Sequence, residues 1–290
     1  MFEMKLYKHS ENISFLGFFI ALGLGTILAI LVSFIYNLLI VVIPIVYINF
    51  FITLGFGLLL AYGVNFFSRL GKVRNKKQEI IIASIVGFIG FYFQWIAYFV
   101  FLINGEHSFI AYKDSINLFY NIKLFIDLIT ELNQSGYWEI FGVLLKGFPL
   151  WIIWGIEAGL IIGIPIIAAI NHPIIPFSET YNKWYPKYIL NNEFEKISTI
   201  NEFKENLLKN TEQAINDLKH GDPFRFSKIS IYYIDNEQKQ YLSVENVLVE
   251  KRGKGKSKFT PIIHLFEIST DTANNLMDKY EAKKQYFFNY

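Results

Sequence analysis

The chain contains no cysteine. Disulfides, thiolate metal sites and cysteine nucleophiles are therefore excluded together, and cysteine usage says nothing of redox compartment. Charge is missing in a patterned way. Between residues 12 and 68 there is no Asp, Glu, Lys or Arg, and two more uncharged runs follow. A charge at a bilayer centre costs about 2.5–3.5 kcal/mol, so such runs mark lipid as the solvent. At about 1.5 Å per helical residue the first run would reach roughly 85 Å, too long for one crossing of a core about 30 Å thick. Catalytic signatures are absent too: there is no HExxH, no GxSxG and no paired acidic motif. The histidines His9, His107, His172, His220 and His264 show neither metal-ligand spacing nor a nearby carboxylate pattern. No cofactor or metal is expected, the enzyme reading is lowered, and there is no internal repeat.

What is present agrees with a membrane chain. Hydrophobic residues make 53% of the sequence and charged residues 18%, below the usual quarter for soluble domains. The formal charge of +2 is too small to imply nucleic acid. The expected fold is an α-helical polytopic membrane protein with four transmembrane helices and a small C-terminal α+β cytoplasmic domain. The membrane domain covers residues 1–170, with spans at about 13–36, 38–67, 80–103 and 148–170. Asn37 and Pro44 are the only turn-prone residues between the first two spans. The first span is too long for a signal-peptide core and lacks a small-x-small cleavage site, so it reads as an anchor.

Loop charges set the expected orientation. Arg69, Lys72, Arg74, Lys76 and Lys77 crowd the loop after the second span, opposed by Glu79 alone. The positive-inside rule places that loop, and with it both termini, in the cytoplasm. Residues 105–147 then lie outside, and their net charge is negative. Within them Leu118, Ile122, Phe125, Ile129 and Leu132 recur at helical spacing, which predicts an amphipathic helix over about 115–133, ended near Gly136. That helix either packs its stripe on the ends of the spans or lies in the interface, where it would sense lipid or cap a cavity.

After residue 170 charged residues become frequent and nearly balanced. Residues 171–191 read as a proline-stiffened connector and 192–290 as the α+β domain. A helix is expected over about 199–219, with Thr199 and Glu202 in capping-box spacing. Strands follow at about 227–234, 241–250 and 259–269, with Pro261 placing the third late or on an edge. A last helix is expected over about 271–284.

Four groups of residues are candidate sites. Glu157 is the only ionisable residue deep in a span, so it must be protonated, paired or facing water. It is read either as a structural hydrogen-bonding group, with Gln94 as its partner on a neighbouring helix, or as a proton- or cation-handling group. Gly155, Gly159 and Gly163 fall every fourth residue, a spacing that lets another backbone approach, within one subunit or across a homo-oligomer seam. Ala21, Gly25 and Ala29, and Gly57 with Ala61, repeat the pattern. The turn holding Lys251, Arg252, Lys254, Lys256 and Lys258 reads as a solvated tip or as an anionic-lipid contact. Its Gly255-Lys256-Ser257 is not a phosphate-binding loop, because Glu250 stands where that motif needs glycine and a strand follows.

Trp151-Ile152-Ile153-Trp154-Gly155-Ile156-Glu157-Ala158, followed by Pro176-Phe177-Ser178-Glu179-Thr180-Tyr181-Asn182-Lys183-Trp184, resembles an uncharacterised family of bacterial multi-span membrane proteins. In that family a Trp-rich span carrying Glu-Ala leads into Pro-Phe-Cys-Glu-x-Cys-x-x-Trp, a half zinc knuckle. Ser178 and Tyr181 stand at the two cysteine positions, so the resemblance implies that any metal is lost here. It implies the architecture and no activity.

The leading expectation is a protein of a bacterial cytoplasmic (inner) membrane that serves as a membrane-anchored interaction or regulatory module. A transporter or channel subunit using Glu157 is the alternative, and a membrane enzyme acting on lipid comes third. Expected partners are the lipid bilayer, a protein bound through the C-terminal domain and a second copy of the chain; nucleic acid is disfavoured.

Overall fold

The computed structural model describes residues 4–8, 12–43, 45–104, 112–136, 138–140, 142–249 and 257–285. The chain divides into two compact units, Ser10–Pro173 and a second built from Met1–His9 with Ile174–Tyr290.

The first unit is a bundle of four long apolar helices, α1 (Phe15–Val42), α2 (Val46–Leu70), α3 (Lys76–Asn104) and α6 (Phe148–Asn171), each with the length and apolarity to cross a membrane. Two shorter helices, α4 (Tyr112–Tyr120) and α5 (Ile122–Ser135), and a small hairpin, β1 (Trp138–Ile140) with β2 (Val143–Leu145), lie between α3 and α6. Asn37 does not break the first helix. It is buried within α1, which continues to Val42, because one Asn costs a helix only a few tenths of a kcal/mol. Pro44 lies outside the described residues. The amphipathic segment is two helices, since Asn121 caps α5 by accepting the amide of Leu124 at 3.1 Å. Gly136 ends α5 at φ +86, where a side chain would be strained. Leu118 and Phe125 are buried against Trp95, Phe99, Leu150 and Trp154, whereas Ile122 stays exposed.

Close helix approach in the bundle falls on glycines other than those of α6. A Cβ on Gly57 would stand 2.8 Å from the carbonyl oxygen of Leu160, and one on Gly87 3.0 Å from Cα of Ile162. Ala21, Gly25 and Ala29 are buried as their spacing suggests. Gly155, Gly159 and Gly163 are the correction: a Cβ on any of them meets nothing within 4 Å. The glycine row faces away from the neighbouring helices because Trp154, Glu157, Ile161 and Pro165 occupy the inward face of α6.

The second unit is one antiparallel sheet with helices on one face. Its strands are β5 (Lys187–Ile189), β6 (Phe194–Glu195), β7 (Arg225–Tyr232), β8 (Lys239–Val249), β9 (Ser257–Ser269) and β10 (Lys283–Gln285), in the order β10-β5-β7-β8-β9 with β6 also on β7. Helices α7 (Ile200–Lys209), α8 (Thr211–Asn216) and α9 (Thr270–Lys279) press Phe203, Leu207, Ile215 and Leu276 onto Ile229, Ile231, Leu242 and Phe266. The expected single helix is interrupted where Asn210 caps α8, and Thr199 makes no side-chain cap bond. The expected last helix stops at Lys279, and residues 283–285 return as a strand.

Two further corrections follow from pairing between distant segments. Residues 187–189 are not a connector; they are paired on both sides, to β10 and to β7. Before them β3 (Phe177–Ser178) and β4 (Lys183–Trp184) form a hairpin in which Ser178 Oγ donates to the Glu237 carboxylate and accepts the amide of Tyr181 at 3.1 Å. The N-terminal segment also joins the sheet. Leu6 bridges Phe266, the amide of Tyr7 donates to the Leu265 carbonyl, and the amide of Glu267 donates to the Lys5 carbonyl, both at 2.9 Å. Beside this edge β9 bulges. Leu265 adopts φ +53, and its amide is taken by Ser243 Oγ at 2.9 Å.

Two outcomes are expected. In detergent, Gly57→Leu lowers stability by at least about 1–3 kcal/mol, because bulk enters a filled contact, while Gly159→Leu leaves the melting temperature within a degree or two. For the second unit, a fragment beginning at residue 192 lacks a central strand and shows no cooperative melt by circular dichroism. One beginning at residue 174 does, and adding a peptide of residues 1–9 raises its melting temperature.

Candidate functional site

Polar side chains inside the bundle gather in two places. The first lies about two turns from the start of α6. Glu157 is 9% exposed and accepts a hydrogen bond from the hydroxyl of Tyr36 on α1. Tyr36 Oη is also 2.9 Å from Thr53 Oγ1 on α2, and Thr53 Oγ1 donates to the Asn49 carbonyl at 3.0 Å. The partner of Glu157 is thus Tyr36, not Gln94. Gln94 is buried on α3, and its Nε2 has no hydrogen-bond partner among the described residues; the same holds for Asn49 Oδ1.

Proton counting gives this cluster chemical content. Three contacts join Glu157, Tyr36, Thr53 and the Asn49 carbonyl, while the two hydroxyls supply two protons. All three are made at once only when Glu157 carries the third proton. A charged Glu157 keeps the Tyr36 bond and leaves one of the others without a hydrogen. Between this cluster and the opposite end of the bundle, Leu60, Val64, Ile82, Val86 and Ile161 are fully buried and form an apolar seal.

The second cluster ties together helix ends that the sequence treats only as a basic loop. Arg69 Nε donates to His172 Nε2 at 3.1 Å, and His172 Nδ1 lies 2.5 Å from Glu79 Oε1. Guanidinium nitrogens only donate, so His172 Nε2 holds a lone pair and its ring proton sits on Nδ1, facing the carboxylate. Lys76 Nζ donates to the His172 carbonyl at 3.1 Å and lies 3.8 Å from Glu79. The absence of a carboxylate near the histidines in sequence is therefore overturned in space: Glu79 and His172 are far apart in the chain and meet where the ends of α2, α3 and α6 converge. Among the described residues no group of His, Asp and Glu could hold a metal ion.

In the sheet unit the face opposite the helices is half covered. Ile175, Tyr185, Tyr232, Ile234, Tyr241 and Leu265 fill one part, with Tyr7 edge-on to Tyr241 at 5.1 Å. Burial first, then the nearby Glu267 carboxylate, pushes the Tyr241 hydroxyl up to about 12. The unit also holds a cavity of about 540 Å³ lined by Phe226, Lys228, Val247, Phe259, His220 and Lys283. Lys187 on the neighbouring strand has its ammonium pKa lowered by burial, an effect that Glu245 opposes. Lys258 is the second residue of β9, whereas Lys251, Arg252, Lys254 and Lys256 lie outside the described residues. The sequence reading missed this face because its members come from five separate segments.

Glu157→Gln supplies an amide donor to Tyr36 in place of the carboxyl proton, so its stability stays within about 1 kcal/mol of the parent. Glu157→Ala strips the chain of hydroxyls of its terminal partner and costs about 1–3 kcal/mol. Melting temperatures of both variants in one detergent decide the point.

Comparison with protein-family models, curated proteins and solved structures finds no match to this chain.

Proposed function

We propose that the chain is a four-span protein of a bacterial cytoplasmic membrane, with both termini in the cytoplasm, and that its sheet unit is an interaction or regulatory module. The carrying observation is the cavity on the sheet. Helices α7, α8 and α9 pack on one face, and the cavity is lined by Phe226, Val247 and exposed Phe259, beside Lys228 and Lys283. Exposed apolar side chains grouped around a concavity and rimmed by charge are the usual make-up of a protein-binding surface. The pairing of Leu6 with Phe266 supports one common side for the two chain ends, since the segments before α1 and after α6 enter one sheet. The basic residues around Arg69 and Lys76 support the cytoplasm as that side.

A transporter is the second reading, favoured by the Glu157 cluster with its two unpartnered amide atoms. An intramembrane carboxylate in a hydroxyl chain is equipped to take up and release a proton, but the apolar seal leaves it no continuous polar path in this conformation.

Full-length protein purified from its native membrane should bring down a stoichiometric partner. Phe259→Asp with Lys228→Glu should remove that partner without lowering the melting temperature, as Phe259 is 53% exposed. Unchanged co-purification would sink the module reading at this face. A C-terminal phosphatase fusion should be inactive, since that enzyme matures only in the periplasm. Loss of cellular function in Glu157→Gln, with stability intact, would move the assignment to transport.

A further inference from the structure

At the end of the bundle remote from Arg69 and His172, α3, α5 and α6 enclose a cleft of about 690 Å³. Its floor is aromatic and buried: Trp95, Phe125 and Trp154 are each less than one-tenth exposed, and the two indoles meet edge-on at 4.8 Å. Its rim is aliphatic and aromatic and open, with Phe88, Ile122 and Ile126 each more than half exposed.

The lining is almost wholly apolar. Tyr92 Oη is spent on the Phe119 carbonyl at 3.2 Å, and Thr130 Oγ1 on the Ile126 carbonyl at 2.8 Å. A polar or charged ligand would lose its hydration here without replacement, so the occupant is hydrocarbon. Along α3 the lining runs from Phe88 to Trp95, about 10 Å at 1.5 Å per residue. An apolar stretch of that length accepts a segment of an extended hydrocarbon chain. Two of its walls, α3 and α6, are apolar enough to cross a bilayer, and Phe88 on α3 is exposed at the rim.

We propose that this aromatic cleft is a binding site for one acyl chain of a membrane lipid, held by α5 against α3 and α6. The inference rests on the membrane reading above. In lipid the hydrophobic effect gives no preference for the cleft over the bilayer, so retention comes from packing against rigid rings. The amphipathic helix then has a defined role: its Ile122 and Ile126 side chains wall in the chain, while its polar side carries Lys123, Asp127 and Glu131.

The test uses tryptophan fluorescence, because Trp95, Trp151 and Trp154 all line the cleft. Full-length protein is reconstituted into phosphatidylcholine vesicles containing rising fractions of phosphatidylcholine brominated on one acyl chain. A bound chain gives a steep, saturating quench at low bromolipid fraction, above a linear component from bulk lipid. Ile126→Phe combined with Thr130→Phe fills the cleft from its exposed rim and should abolish the steep component. Ile167→Phe, on a 60% exposed position of α6 away from the cleft, should leave it intact. A purely linear response of the parent protein overturns the site, whatever the variants do. So does a steep component that survives in the filled variant. Failure to float with the vesicles would overturn the membrane reading itself, which distinguishes the two failures.

Discussion

The pairing of residues 5–7 with the edge of β9 is the constraint on which the architecture turns. Two backbone hydrogen bonds commit the segment before α1 to the same sheet that forms after α6. Within the bundle the start of α1, the end of α2, the start of α3 and the end of α6 share one end, where Ser14 meets Gln78 and Arg69 meets His172. The pairing accounts for the bulge in β9. A strand that must pair with β8 on one side and with the N-terminal segment on the other turns Leu265 inward at positive φ, and Ser243 satisfies the amide this displaces.

Within the bundle, Ser33, Tyr36 and Thr53 find hydrogen-bond partners on their own or a neighbouring helix. Ser33 returns its hydroxyl to the Ala29 and Gly90 carbonyls, joining α1 to α3. Tyr36 joins α1 to α6 through Glu157, although those two helices pack mainly on α2 and α3. Removing one member of such a chain exposes the rest to an apolar medium, so the cluster specifies which helices are neighbours as much as it adds stability. His172 does the same at the opposite end, linking Arg69 of α2 to Glu79 of α3.

Much of this was legible in the chain. The four long apolar helices follow from runs without charge, because the cost of a buried charge is large and local. The three long strands follow from alternation, and Pro261 rightly marked an edge, as β9 ends the sheet order. Misreadings occurred where one residue serves two roles. Asn121 and Asn210 fit a polar helix face and also cap a new helix; only the path of the following turn decides. Gly155, Gly159 and Gly163 have a packing spacing, but spacing cannot say which face of α6 turns inward, and the bulky face with Trp154 and Glu157 did.

The sequence by itself determined the solvent of each segment: apolar helices for one unit, an alternating sheet with amphipathic helices for the other. These are properties of short windows, set by transfer free energies and periodicity. The tertiary structure alone decided what meets what. Glu157 with Tyr36, Glu79 with His172, Leu6 with Phe266 and Phe226 with Phe259 around one cavity are each separated by tens to hundreds of residues. No local periodicity carries such a pairing; it arises when whole faces are matched in shape and in hydrogen-bonding groups.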